Sequence, residues 1–201
     1  MTRRRSFYRS LASLQRDNRV CRACVEAGYP LESLPVLEGR SGQRAYILGQ
    51  APGAVEGVER RPWRGRAGRT LRGWLRLDED EFYATFYCAS VTRCYPGKAR
   101  SGEGDRTPAP AEQELCSFWR DWELRLLRPR LIVPVGGLAI RRLLGVSRLD
   151  CIGERFEKGD AAVVPLPHPS GTSRWLNDPA NRARVARAVE HIYAELSELT
   201  V

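Results

Sequence analysis

The sequence is poor in lysine and histidine and contains no long apolar run. Lys98 and Lys158 are the only lysines among 33 basic residues, and His168 and His191 are the only histidines. No hydrophobic stretch approaches the roughly 20 residues of a membrane-spanning helix, and Met1–Arg5 leads into polar sequence without a signal-peptide core. The glycine spacing fits neither a Walker loop nor a dinucleotide fingerprint. We therefore expect a soluble cytoplasmic protein without a membrane partner.

The charge of the chain is strongly positive. The formal net charge is +9 and the pI is about 9.7. An excess of basic residues is typical of proteins that bind a polyanion, because each Arg or Lys placed on a phosphate releases a counterion. A GC-rich genome would explain arginine in place of lysine, but not the surplus of base over acid. The charge favours nucleic acid as the partner.

Short strands alternate with helices along the chain. Four apolar or β-branched runs bounded by Gly, Pro or charged residues predict strands: Ala45–Leu48, Phe86–Val91, Leu131–Val135 and Ala161–Pro165. Apolar spacing predicts helices over Thr70–Leu77, Pro108–Leu127, Leu138–Leu144 and a last one capped by Asp178 with Pro179 in its first position. This order predicts a three-layer α/β/α sandwich around a short, mostly parallel four-stranded sheet.

The length of 201 residues fits a single domain, 1–201. Residues 1–20 form a basic N-terminal segment, and no internal repeat occurs. Residues 95–107 are rich in Gly, Pro, Arg and Lys, which predicts a surface insert, either a functional surface loop or a mobile one. We expect a monomer.

A glycine-rich loop follows the first strand. It runs Gly49-Gln50-Ala51-Pro52-Gly53 and continues to Pro62-Trp63-Arg64-Gly65-Arg66-Ala67-Gly68. Glycines without Cβ atoms allow the backbone to approach a ligand closely, and Trp63 offers a flat stacking surface. Ligands of parallel α/β sheets lie beyond the carboxyl ends of the strands. The loop therefore predicts a pocket for an anion or a planar ring.

Four of the six cysteines form a candidate metal site. Cys21 and Cys24 make a C-x-x-C pair in a loop-like stretch, and Cys94 and Cys116 lie further along the chain. Structural disulfides are rare inside cells, so a metal site is preferred, and the spacing suits [4Fe-4S] or Zn²⁺ equally well. Cys88 and Cys151 are interpreted as ordinary buried thiols.

Several separated motifs resemble one family when taken in order. They are Cys21 and Cys24, the Gly49 loop with its Arg64–Gly68 ending, Cys94-Tyr95-Pro96, Glu112 with Cys116, and His168-Pro169-Ser170. Together they resemble the iron–sulfur-containing uracil-DNA glycosylases, family four of that superfamily. The resemblance runs from about Cys21 to the final helix. It implies a structural [4Fe-4S] cluster on Cys21, Cys24, Cys94 and Cys116, and so favours iron–sulfur over zinc.

The resemblance also implies roles for the loop residues. His168 would stabilise the charge that develops on the departing base, and Gln50 would orient the attacking water. The base would contact Trp63, Ser90 and the loop residues Gly49, Ala51, Pro52 and Gly53. DNA phosphates would contact Arg66, Ser170, Gly171 and Arg174.

Two positions depart from the family's pattern. Gln50 stands where the family commonly has Glu, and a carboxamide can orient a water but cannot take its proton; Glu56 and Glu59 are nearby substitutes. Ser90 stands where the family usually has an Asn that reads the pyrimidine edge, which leaves the preferred base open.

We therefore expect a base-excision repair glycosylase that flips uracil, or a related deaminated base, out of DNA and hydrolyses its N-glycosidic bond. No lysine lies in the motifs to form a Schiff base, so the enzyme should be monofunctional and would act on nucleoid DNA. The alternative is a catalytically weak or inactive iron–sulfur DNA-binding protein on the same fold.

Overall fold

The computed structural model describes residues 2–102, 104–146, 149–170 and 174–199. These residues form eight α-helices and five β-strands. The helices are α1 (Leu11–Arg19), α2 (Ala23–Glu26), α3 (Ala54–Glu59), α4 (Arg66–Leu75), α5 (Glu79–Thr85), α6 (Pro110–Leu127), α7 (Gly137–Leu144) and α8 (Pro179–Glu198). The strands are β1 (Ala45–Gly49), β2 (Phe86–Ser90), β3 (Leu131–Pro134), β4 (Phe156–Lys158) and β5 (Ala161–Val163). No helix in these ranges is long and apolar enough to cross a membrane.

The sheet is mostly parallel and has the strand order β2-β1-β3-β5-β4. β1 pairs in parallel with β2 and β3, and β3 pairs in parallel with β5. β4 is antiparallel to β5 at the sheet edge. The prediction of a mostly parallel sheet is confirmed, but the count of four strands is wrong. Phe156–Lys158 was missed because it is three residues long, largely exposed and carries two charges.

Two apolar layers cover the sheet. Alternate strand residues such as Tyr46 and Tyr87 pack on one face against α1 and α6, with Trp119 at the centre. Their neighbours, such as Ile47, pack on the other face against α4, α5 and α8. Successive strand side chains point to opposite faces, so each short strand contributes to both cores. The three-layer prediction is confirmed.

The helix boundaries follow local capping. The carboxylate of Asp178 accepts a hydrogen bond from the Ala180 N–H at 2.8 Å, and Pro179 is the first residue of α8, as predicted. The N-terminal segment is not simply polar: it contains α1, capped by Ser10. Cys24 also lies within α2, so the loop-like interpretation of the C-x-x-C pair is wrong for that residue.

Candidate active site

A cavity of about 480 Å³ opens at the carboxyl edge of the sheet. The strand register produces it. Gly49 pairs with Ser90 at the ends of β1 and β2. Val135, just after β3, forms a parallel bridge with Leu166. The chain continues from Leu166 to His168. Four neighbouring strands therefore end at one edge, where ligands of parallel α/β sheets bind.

Most of the residues that the sequence singled out meet in this cavity. Its lining includes Gly49, Gln50, Ala51, Pro52, Gly53, Trp63, Arg66, Ser90, His168 and Ser170. Arg174 is exposed in a 3-10 turn, Arg174–Asn177, and does not line the cavity. Gly171 lies outside the described residues. The assigned roles stay predictions, but the structure brings most of the residues together.

The backbone around Trp63 is held in a strained conformation. Trp63 has a φ of 61°, in the left-handed region that large side chains rarely adopt. Its carbonyl accepts a hydrogen bond from Arg72 Nη1 at 2.8 Å. A methyl group on Gly68 would lie 1.7 Å from that carbonyl oxygen, and one on Gly49 would lie 3.0 Å from the indole ring. The two glycines therefore allow the indole to lie over the end of β1.

Glu56 and Glu59 both have partners near Gln50. Glu56 Oε2 accepts the Gly53 N–H at 3.1 Å, and Oε1 accepts the Gly65 N–H at 2.7 Å. Its side chain therefore ties the two halves of the loop together. Glu59 forms an ion pair with Arg64 at 2.6 Å. These contacts engage both carboxylates, which argues against either one taking the role of a catalytic carboxylate at Gln50.

His168 faces the cavity from the segment after β5. Its side chain is exposed to the cavity, and its Cβ would lie 3.3 Å from a methyl group placed on Gly136, which has a φ of 88°. Desolvation by the surrounding walls lowers the pKa of the imidazole below its ordinary value of 6.5. The lowered pKa favours the neutral imidazole at pH 7, in which one ring nitrogen can donate a hydrogen bond.

The segment 95–107 contributes to the cavity, although its composition predicted a surface insert. Tyr95, Pro96 and Gly97 are buried, and only the later part is exposed. Pro96, Lys98, Asp105 and Arg106 line the cavity. The prediction of an insert on the surface is thus wrong for the start of the segment. Sequence reasoning missed these residues because no local motif marks them.

Four cysteines line a second, buried cavity. Cys21, Cys24, Cys94 and Cys116 are each less than 10% exposed and unbonded to one another. The Trp119 indole N–H donates to Cys21 Sγ at 3.3 Å, and the Arg93 backbone N–H donates to Cys116 Sγ at 3.3 Å. N–H donors of this kind stabilise thiolates that bind metal.

Several buried polar atoms around the cysteine cavity have no hydrogen-bond partner. Among the described residues, five of the six buried side-chain polar atoms without a hydrogen-bond partner belong to residues lining this cavity, namely Arg4, Asn18, Thr92 and Arg93. Burial raises the pKa of the Cys24 thiol to about 12. Thiolates there need a compensating positive charge, which bound metal supplies. The donors, the sulfurs and the unpartnered groups thus fit a buried inorganic group.

The described His, Cys, Asp and Glu side chains form no group of three or more arranged around a single metal ion. A zinc ion requires its thiolates about 2.3 Å from one centre. By their spacing in the chain, the four cysteines suit Zn²⁺ or [4Fe-4S].

The chain is similar to one protein family and to several curated proteins. Residues 38–192 match the model of the "Uracil DNA glycosylase superfamily". A "Type-4 uracil-DNA glycosylase" of Thermotoga maritima is 29% identical over 139 residues, which are 67% of this chain and 69% of that protein. The protein of that name in Pyrobaculum aerophilum is 30% identical over 139 residues, 69% and 64% of the two chains. The protein of that name in Sulfurisphaera tokodaii is 28% identical over 131 residues, which are 63% of this chain and 54% of that protein.

Proposed function

This chain belongs to the uracil-DNA glycosylase superfamily, and from that premise we propose that it is a DNA repair enzyme that hydrolyses the N-glycosidic bond of uracil in DNA. The observation that carries the proposal is one cavity lined by an aromatic ring, a neutral imidazole and two small polar side chains, from Trp63, His168, Gln50 and Ser90. A flipped pyrimidine needs a stacking face, an edge to hydrogen-bond and a donor for its leaving oxygen.

The reaction follows from these groups. The base leaves the duplex and stacks on Trp63, which recovers part of the few kcal/mol of unstacking energy. As the C1′–N1 bond breaks, its electron pair moves onto the base and charge builds on O2. The neutral imidazole of His168 donates a hydrogen bond to that oxygen. Ser90, at the end of β2, offers a rotatable hydroxyl to the base edge.

The positive charge supports DNA as the partner. The net charge is +9, and Arg66 and Ser170 line the cavity mouth. We assign phosphate contacts to them, with Gly171 and Arg174 on the following segment. The enzyme would act on chromosomal DNA in the cytoplasm.

The cysteine cavity supports a [4Fe-4S] cluster as the cofactor. Cys21, Cys24, Cys94 and Cys116 would hold it, and when bound it supplies structural cross-linking rather than chemistry on the base. Cys21 lies just before α2, Cys24 lies in α2, Cys94 follows β2 and Cys116 lies in α6. A cluster on these residues would therefore fasten the N-terminal region to the sheet and the long helix.

A cleavage assay with a histidine pair tests the function. The purified protein is mixed with single- and double-stranded oligonucleotides that carry uracil, hypoxanthine or xanthine, and abasic sites are revealed with alkali. We expect cleavage at uracil, and a loss of about 10²–10³-fold in His168→Ala with little change in DNA binding. The control His191→Ala, on α8, should cleave like the wild type. Binding without abasic sites on any substrate would favour the alternative of an inactive DNA-binding protein, since Gln50 cannot take a proton.

A further inference from the structure

Hydrolysis of a glycosidic bond requires an attacking water and a group that receives its proton. Gln50 lines the cavity, but a carboxamide cannot accept a proton from water. Among the described residues that line the cavity, only Glu56 and Asp105 carry a carboxylate. The two acids differ in what their oxygens already do.

Glu56 is committed to holding the loop. Each of its oxygens accepts a backbone N–H, from Gly53 and from Gly65, and the residue is only 8% exposed. Protonating Glu56 would weaken two hydrogen bonds that shape the cavity. It is therefore a poor acceptor for the proton of a water.

Asp105 has one oxygen engaged and one directed at the loop. Its Oδ1 accepts a hydrogen bond from the Tyr95 hydroxyl at 3.1 Å. Its Oδ2 would lie 3.2 Å from a methyl group placed on Gly53, so this oxygen approaches the loop backbone inside the cavity. Within the described ranges no cation forms an ion pair with Asp105. The carboxylate is thus oriented by one contact and retains a free acceptor.

The surrounding backbone fixes where Asp105 sits. Lys98 and Asp105 form an antiparallel bridge, and the Arg106 N–H donates to the Gly97 carbonyl at 2.8 Å. The Arg106 guanidinium then makes two hydrogen bonds, at 2.6 and 2.8 Å, to the buried Glu112 of α6. Burial and the nearby carboxylate raise the pKa of Tyr95 to about 12, so its hydroxyl stays a donor. Asp105 is therefore held by a braced hairpin rather than a loose loop.

We infer that Asp105 is the residue that holds the attacking water and accepts its proton, an inference that rests on the proposed function. The water oxygen bonds to C1′ as the C1′–N1 bond breaks, and the bonding pair leaves with the base. One water proton passes to Asp105 and from there to solvent. The base anion, stabilised by His168, is protonated afterwards.

The test compares Asp105→Asn with a matched change elsewhere. Asn keeps an oxygen for the Tyr95 hydroxyl but cannot accept a proton. Single-turnover cleavage of uracil-containing DNA should fall by about 100-fold or more, while DNA affinity and the thermal midpoint stay unchanged. The control is Asp121→Asn, because Asp121 is exposed on α6 and its carboxylate pairs with the neighbouring Arg120; it should cleave like the wild type.

A rescue separates chemistry from structure. Gln50→Glu places a carboxylate at the neighbouring position and, when combined with Asp105→Asn, should restore much of the cleavage lost in Asp105→Asn. Wild-type cleavage retained in Asp105→Asn would overturn the inference and leave the proposed function standing. A wild-type protein that leaves uracil in place would overturn both.

Discussion

Replacing Glu123 with Gln should destabilise the protein more than any conservative surface change. Glu123, on α6, is 0% exposed and pairs with Arg93 Nη2, whose side chain is 1% exposed. The hydroxyls of Tyr46 and Tyr87 also donate to its two oxygens, at 2.7 and 3.1 Å. Burial raises the pKa of both tyrosines well above 10, so they remain donors at neutral pH. One carboxylate thus neutralises a buried cation and joins α6 to β1 and β2.

The magnitude follows from what the substitution leaves behind. Gln keeps the shape of the side chain but removes the charge, so Arg93 becomes an uncompensated buried cation. Breaking a buried pair in this way costs about 3–5 kcal/mol. For a chain of this length each kcal/mol lowers the unfolding midpoint by about 2–4 °C, so we expect a drop of roughly 6–20 °C.

The measurement is thermal unfolding of the purified protein at pH 7, followed by circular dichroism. The matched control is Glu114→Gln on the same helix, because the Glu114 side chain is 77% exposed and its ion pair is long, with 4.0 Å between Glu114 Oε2 and Arg142 Nη1. That control should change stability by about 0.5 kcal/mol or less. Equal shifts in Glu123→Gln and Glu114→Gln would refute the view that the buried charge pair stabilises the sheet against α6.

Two further substitutions test the loop and the cysteine cavity. Gly68→Ala should abolish cleavage, because a methyl group there collides with the Trp63 carbonyl. The control is Gly73→Ala on the same helix, where the methyl group meets no atom within 4 Å and should raise stability by about 0.5–1 kcal/mol. Equal cleavage activity of the two variants would contradict the packing argument. Cys94→Ser should lose the brown colour, iron and inorganic sulfide of the purified protein, whereas Cys88→Ser, buried within β2, should retain them. A colourless wild-type protein with stoichiometric zinc would refute the cluster.

Much of the fold could be predicted because the strands differ locally from their surroundings. Ala45–Gly49 is an apolar run that ends in glycine, and its alternating side chains serve two cores. The edge strand β4 was not predicted because it is short and exposed. Helix α1 was not predicted because its apolar face is small, with only Leu11 and Leu14 buried among its apolar residues.

Some residues of the candidate site could likewise be predicted from the sequence, and others could not. Trp63, Gln50 and His168 stand in recognisable motifs, so their meeting in one cavity follows from strand order and the shared carboxyl edge. Asp105 carries no motif, and the folded hairpin that includes the bridge to Lys98 brings its carboxylate beside Gly53. Local pattern cannot reveal such a contact, because it depends on how a hairpin folds back over a distant loop.

The sequence by itself determined the order of four of the five strands and of helices α4, α6, α7 and α8, together with the positive charge, the cysteine set and the family resemblance. These are properties of residue type and spacing. Only the tertiary structure decided what each carboxylate does. Glu56 follows Gln50 within the same loop and helix start, yet both of its oxygens bind the backbone. Asp105 is far along the chain, yet one of its oxygens faces the cavity. Hydrogen-bond partners are chosen by distance in space, and that distance exists only once the chain has folded.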